Sequence, residues 1–275
     1  MSIKLSVITI NYNDAAGLRH TMESVFNQTF SDFEYIVIDG ASTDASCDII
    51  KELTETYPAF NSRLQWISEP DNGIYHAMNK GIVRAQGEYC FFLNSGDYFT
   101  SDMVLESVFS VCPTEEIVFG NLIVCLDEKV VGKISGKKEL SFLDLYKSDV
   151  VKHQSSFIKR NLFETYGLYN ENLRIVADWE FFLVTIGLKN VSYRYLNIDI
   201  ACFDNNGLSN NSGEITKEER SMTLRKHIPP MMLADYKIFE RYKFLEPAFS
   251  YRLTLIGMRV LAKIAKEFRR LGKQQ

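Results

Sequence analysis

Four short polar clusters in the first hundred residues hold side chains suited to chemistry: Asn11-Tyr-Asn13, Asp39-Gly-Ala-Ser-Thr-Asp44, Glu69-Pro-Asp-Asn-Gly73 and Asn94-Ser-Gly-Asp97. Three of the four carry carboxylates, which argues against a simple phosphate cradle of glycine amides and lysine. Neither Gly-x-x-x-x-Gly-Lys nor Gly-x-Gly-x-x-Gly occurs, so the P-loop and dinucleotide readings fail on their own signatures. Acidic clusters of this kind suit a base edge, a ribose, or a divalent cation that in turn holds a diphosphate.

The elements that must position these clusters alternate in type. Ile3 to Ile10, Tyr35 to Ile38, Leu64 to Ile67 and Cys90 to Leu93 read as short buried strands. Between them Leu18, Met22, Val25 and Phe26, then Ile49, Ile50 and Leu53, then Ile74, Ala77, Met78, Gly81 and Ile82 keep helical spacing. This alternation predicts an α/β chain with a doubly wound, largely parallel sheet. In such sheets ligands bind outside the carboxyl ends of the strands, where the four clusters fall. After Asp97 the rhythm changes to a mixed α+β half. Strands are expected at 117–119, 122–124, 130–134, 156–158, 191–196 and 200–203, and helices at 142–146 and 178–186. The Asn/Ser/Gly-rich stretch Asn205 to Gly213 reads as a loop, followed by a mainly helical tail.

The strand ends also carry a resemblance. Ser6-Val-Ile-Thr-Ile-Asn-Tyr-Asn13, Ile38-Asp-Gly-Ala-Ser-Thr-Asp44, Asp71-Asn-Gly-Ile-Tyr-His-Ala-Met-Asn-Lys-Gly81, Gly87-Glu-Tyr89 and Phe92-Leu-Asn-Ser-Gly-Asp97 together resemble the inverting glycosyltransferases of family 2, which have the GT-A fold. The resemblance is strongest from Leu5 to Asp97 and weaker to Ser209. It implies a catalytic domain over 1–210, with a nucleotide-sugar-binding half at 1–97 and an acceptor half at 98–210, and a helical extension over 211–275. It implies transfer of a sugar from a nucleoside diphosphate, UDP foremost, with inversion at the anomeric carbon. A glycan or lipid-linked glycan of a bacterial surface polysaccharide is the implied acceptor. It places Thr9, Asn11, Asp39, Ser42, Asn72 and Gly73 at the nucleotide. The local alternative is that Asp39-Gly40 is a turn and Asp44 a helix cap.

One departure and one match set the expected chemistry. The family's Asp-x-Asp metal motif is Ser95-Gly96-Asp97 here, so one carboxylate remains. A Mn2+ or Mg2+ ion held by Asp97, diphosphate oxygens and water is the expected cofactor. Ala177-Asp-Trp-Glu180 matches the family's base, with Asp178 the first choice and Glu180 the reserve. The alternative is an acidic helix start favoured by the helix dipole. Trp179 is expected to stack on an acceptor sugar, and His153-Gln154 to donate to acceptor or diphosphate, or to order a loop. Lys80 is divided between donor phosphate and a helix face, and Gly207-Leu-Ser209 resembles a closing loop.

The bulk properties narrow the classes further. The formal net charge is -4, which gives no electrostatic reason to expect a nucleic-acid partner. The five cysteines form no Cys-x-x-Cys pair, so a structural zinc site is not expected and a reducing cytoplasm fits. The beginning lacks a signal-peptide core, and no apolar run is long enough to span a bilayer. Leu253, Ile256, Val260, Ile264, Phe268 and Leu271 form one helical stripe among basic residues, the pattern of a peripheral helix on an anionic membrane surface. Packing of that stripe on protein is the alternative. Two other functions stay open at this point: a nucleotidyltransferase that makes sugar nucleotides, and a non-catalytic glycan- or nucleotide-binding relative.

Overall fold

A computed structural model describes residues 3–126, 129–147, 150–204, 213–242, 257–263 and 266. The chain divides into two compact units, Met1–Arg220 and Ser221–Gln275.

The first unit is built on one mixed sheet. Its parallel half is β1 (Leu5–Asn11), β2 (Phe33–Asp39), β3 (Leu64–Ser68) and β4 (Tyr89–Phe92) in the order β3-β2-β1-β4. The helices α1 (Ala15–Phe26), α2 (Ser46–Thr56) and α3 (Ile74–Arg84) make the crossovers. All seven residues of β1 and of β2 are buried, as expected of parallel strands covered on both faces. Leu18, Met22 and Val25 of α1 and Ile50 and Leu53 of α2 share one core with Leu5, Val7, Tyr35 and Val37. The other face carries α3 at very short range, since a Cβ on Gly81 would sit 2.4 Å from Ile8 Cγ2. The register aligns Asn11 with Asp39, and Asp39 with Ser68, at the carboxyl ends of three adjacent strands.

Beyond β4 the sheet turns mixed. The strands are β5 (Tyr98–Phe99), β6 (Ile117–Leu126), β7 (Lys129–Ile134), β8 (Ser156–Lys159) and β9 (Tyr193–Asp204), continuing the order as β4-β8-β6-β9-β5 with β7 hairpinned on β6. The short helices α4 (Val104–Phe109), α5 (Phe142–Lys147), α6 (Asn161–Tyr166) and α7 (Ala177–Phe182) lie between them in sequence. This is the α/β, GT-A-like architecture that the sequence implied.

Three expectations need correction. The strands at 117–119 and 122–124 are one strand, β6, with register irregularities around Asn121. The strands at 191–196 and 200–203 are likewise one, β9. The polar residues that broke both apolar runs satisfy one another across the pair: Asn121 Nδ2 donates to Asn197 Oδ1 at 3.2 Å and to Asp199 Oδ1 at 2.8 Å. The helix expected over 178–186 is α7 followed by a π-helical turn at Leu183–Leu188. A tighter turn at His153–Ser155 leads into β8.

The helix α8 (Gly213–His227) begins in the first unit. The second unit, taken by itself, holds α9 (Pro230–Tyr242) and a helical stretch over 257–263.

Candidate active site

The first cluster gathers on Asp39, which ends β2 with no exposed surface. Its Oδ1 accepts Asn11 Nδ2 at 2.8 Å and Ser42 Oγ at 2.5 Å; its Oδ2 accepts the Ser42 backbone N–H at 3.0 Å and Ser68 Oγ at 2.6 Å. Burial works to raise the Asp39 pKa, but the donors from Ser42, Ser68 and Asn11 outweigh it and hold the carboxyl below its ordinary value. The loop that delivers these donors is tightly wound: Ala41 and Asn13 take left-handed φ of +60° and +52°. Ser42 Oγ also accepts the Asn13 N–H at 2.8 Å, binding the loops after β1 and β2 together. Asn11 Oδ1 is buried without a hydrogen-bond partner, an acceptor still to be satisfied.

The other residues expected at the nucleotide have different surroundings. Thr9 is fully buried, and its hydroxyl contacts Leu93 O at 2.7 Å and Tyr35 OH at 2.9 Å, so it braces strands rather than facing solvent. Asn72 and Gly73 are exposed ahead of α3. Gly73 adopts φ +117°, ψ 177°, a conformation open essentially to glycine alone, and its N–H donates to Asp71 Oδ1 at 3.0 Å. The Asn72 N–H donates to His76 Nδ1 at 2.9 Å. Lys80 Nζ donates to Pro70 O at 2.7 Å and pairs with Glu69 at 3.1 Å, so it closes the turn before its own helix. Asn79 ties α3 to the later half by donating to Tyr169 O and Glu171 Oε1. Asp44 accepts Ser46 N–H and, across the loop, Ala15 N–H at 2.9 Å.

The segment after β4 turns back beneath α1. Asp97 is 4% exposed, and its backbone oxygen accepts Thr21 Oγ1 at 2.7 Å. Ser95, standing where the family has its first metal aspartate, donates to Asp14 Oδ2 at 3.1 Å. Among the described residues no three His, Cys, Asp or Glu side chains converge as a metal cage. One carboxylate at this place fits a cation shared with a ligand's own oxygens, not a closed protein site.

The mixed half brings Asp178 to this segment through a chain of side chains. Asp178 Oδ2 lies 2.7 Å from His153 Nδ1, and His153 Nε2 lies 3.4 Å from Asn94 Nδ2, at the head of the Asn-Ser-Gly-Asp cluster. Tyr75 OH, from α3, lies 2.9 Å from Asp178 Oδ1 and 2.6 Å from Ile175 O. The Asp178 side chain is 15% exposed. Burial works to raise its pKa, yet the His153 hydrogen bond, the charges of His153 and Lys152, and the Tyr75 hydroxyl pull it down to about 2. An ionised Asp178 only accepts hydrogen bonds, so His153 carries its proton on Nδ1 toward it. Desolvation and Asp178 together push the Tyr75 phenol well above its ordinary pKa, so it remains a donor.

The neighbours of Asp178 face elsewhere. Trp179 is 5% exposed, donates Nε1–H to Leu145 O at 2.6 Å, and has the Arg220 guanidinium 4.7 Å from its ring centroid. Stacking on a sugar is therefore not built into Trp179. Glu180 is buried and accepts Asn170 Nδ2 at 3.1 Å. Gly207, Leu208 and Ser209 lie outside the described residues. So do Leu253, Ile256, Ile264, Phe268 and Leu271 of the tail stripe; Val260 is described and is 51% exposed. Among the described residues no helix is long and apolar enough to cross a membrane. Sequence reasoning did not single out Ser68, Tyr75 or Glu219, each of which holds part of this arrangement.

A mixed sheet with polar clusters at the ends of its parallel strands, a carboxylate after β4, and Asp178 joined to that segment through His153 and Asn94 make up a GT-A-type scaffold. Residues 6–167 match the profile of glycosyl transferase family 2, and the chain belongs to that family. It is 32% identical over 209 residues to the PGL/p-HBAD biosynthesis glycosyltransferase of Mycobacterium tuberculosis, covering 74% of this chain and 78% of the relative. Among solved structures it resembles S. aureus TarS 1-349, with TM-score 0.61 at 18% identity over 83% of this chain and 68% of TarS. It also resembles the mannosyltransferase PcManGT of Pyrobaculum calidifontis in complex with GDP-Man and Mn2+, with TM-score 0.55 at 18% identity over 74% and 57% of the two chains.

Proposed function

We propose that this glycosyltransferase moves a sugar from a nucleoside-diphosphate sugar, a UDP-sugar first, to a hydroxyl of a glycan or lipid-linked glycan, with inversion. One observation carries the reading: the His153 bridge brings the ionised Asp178 to the Asn94–Asp97 segment, so a proton acceptor and the donor motif adjoin. Asp178 takes the proton of the acceptor hydroxyl as that oxygen bonds the anomeric carbon. The bond from the anomeric carbon to the diphosphate breaks, and its electron pair leaves with the diphosphate. Among the described residues Asp178 Oδ1 accepts Tyr75 and Oδ2 accepts His153, and each oxygen's second lone pair would take the acceptor hydroxyl. His153 and Tyr75 fix the carboxylate, and Glu180 is the reserve base.

At the donor end Asn11, Asp39 and Ser42 meet the base and ribose, with Asn72 and Gly73 beside them and Thr9 supporting them from below. Asp97 would hold Mn2+ or Mg2+, whose chemistry is to neutralise charge on the leaving diphosphate. A UDP-bound structure of TarS, a complex with UDP-GlcNAc, and the GDP-Man and Mn2+ complex of PcManGT support a nucleotide-sugar donor and a divalent cation.

The test is a thermal-shift screen of UDP-, GDP- and dTDP-sugars with Mn2+, followed by nucleoside diphosphate release and NMR of the product anomer. A retained anomeric configuration, or pyrophosphate released from a nucleoside triphosphate and a sugar phosphate, overturns the proposal. The apolar stripe of the tail and the basic residues around it support a peripheral place on an anionic membrane, where a lipid-linked acceptor would lie. Co-sedimentation of the full chain with anionic liposomes at low salt, lost in a chain ending at Phe249, is the expected result. Equal sedimentation of both chains overturns that part.

A further inference from the structure

We propose that Glu219, in α8 and beyond the stretch that matches the family profile, is a positioning residue for Asp178. The inference rests on the reading of Asp178 as base. The Glu219 carboxylate is buried and accepts three successive backbone N–H groups: Arg174 at 2.7 Å, Ile175 at 3.0 Å and Val176 at 3.3 Å. These residues run directly into α7, which carries Asp178. Ile175 is gripped on both sides. Its N–H goes to Glu219, and its carbonyl accepts the Tyr75 hydroxyl that also reaches Asp178 Oδ1. Glu219 therefore sets the peptide that places Tyr75 and Asp178 relative to each other.

The next residue of α8 holds the other side of the same segment. Arg220 lies over the Trp179 ring, immediately after Asp178, and Trp179 is itself anchored on Leu145 O. Two consecutive residues of one helix thus clamp the chain before and after the carboxylate. A carboxylate shared by three amides is hard to replace, because its loss leaves part-buried and buried N–H donors without their acceptor. A base displaced by about 1 Å from a reacting hydroxyl can cost on the order of 100-fold in rate.

The experiment compares Glu219→Ala, Glu219→Gln, Asp178→Asn and the double variants in the full chain. Turnover is read as nucleoside diphosphate release from a panel of UDP-, GDP- and dTDP-sugars, and backbone amide exchange is measured alongside. The expected result for E219A is a kcat loss of roughly tenfold or more with donor KM unchanged. E219Q, which keeps one accepting oxygen, should fall between E219A and the wild type, and it replaces E219A should that variant not fold. In the Asp178→Asn background either substitution should cost nothing further, because its route of action is already gone. Exchange should rise at amides 174–178 and not in β1, β2 or β4. Equal losses in both backgrounds, or exchange rising evenly through the sheet, would overturn the positioning role. Wild-type turnover in Asp178→Asn alone would instead sink the base assignment, and the local exchange result would then decide whether Glu219 sets this segment.

Discussion

Asp39, fully buried, and Asp178, partly buried, are both carboxylates held below the ordinary range, yet they are built in different ways. The donors to Asp39 come from its own loop, through Ser42, and from neighbouring strand ends, with Asn11 and Ser68 directly in register on either side of it. The partners of Asp178 come from α3 and from the turn before β8, segments 103 and 25 residues away. The donor end is satisfied by neutral hydroxyls and amides, which a base or ribose can exchange for its own groups. Asp178 is satisfied by a phenol and an imidazole, which hold it where the proposed base would meet an acceptor hydroxyl. On the proposed roles, the difference teaches that one end would trade hydrogen bonds with a nucleotide, and the other would keep them while a proton arrives.

The comparison breaks most visibly at Asp97. Asp97→Asn should cut transfer by roughly 10³-fold, because charge neutralisation at a leaving diphosphate is worth several kcal/mol. Donor binding should lose its dependence on Mn2+ in the same variant. Rates with the metal requirement intact would show that Asp97 is not the ligand.

Asp178→Asn should reduce kcat by roughly 10²-fold or more while calorimetric nucleotide affinity stays at the wild-type level. An amide keeps the shape and loses the proton acceptor. The same variant has a pH signature. The folded pKa of about 2 lies below the unfolded value near 3.9, so the ionised form is favoured by folding. The resulting stability is fully present above about pH 4 and is lost as pH falls toward 2. Wild type should therefore be more stable than Asp178→Asn at pH 6, with the gap narrowing between pH 4 and pH 2 in circular dichroism melts. A gap independent of pH would mean that the carboxylate is not held ionised by its partners.

These two ends were also unequally legible in the sequence. The four parallel strands are short apolar runs between helix-spaced residues, so their order and the polar clusters at their ends could be read directly. The resemblance points to Asn11, Asp39 and Ser42; the register sets Asn11 beside Asp39, and the loop after β2 returns Ser42 to it. The mixed half was read less well. The strands β6 and β9 each looked like two because Asn121, Asn197 and Asp199 interrupt them, and polar residues that satisfy one another across strands leave no local trace. The two-residue β5 and six-residue α4 and α6 are too short to show a period. Tyr75 sits among apolar helix positions and reads as core, while the partner of its hydroxyl is a hundred residues away. Glu219 lies in a helix rich in charge and reads as a solvated residue.

The smallest expected effect tests the idea of exchangeable hydrogen bonds. Ser68 Oγ donates to Asp39 Oδ2 at 2.6 Å from an exposed position at the end of β3. Deleting one such bond should cost about 0.5–1 kcal/mol, since Asp39 keeps its bonds from Asn11 and Ser42. Ser68→Ala should thus lower the melting temperature by a few degrees at most. Its effect on nucleotide affinity discriminates between two arrangements. If the nucleotide displaces the Ser68 bond, wild type surrenders that bond on binding and the variant has nothing to surrender. Calorimetry with UDP should then show affinity unchanged or up to a few-fold tighter in Ser68→Ala. If Ser68 instead stays on Asp39 in the complex and orients it toward the base, affinity should fall by a similar factor, and the donor end would resemble the base end in keeping its bonds.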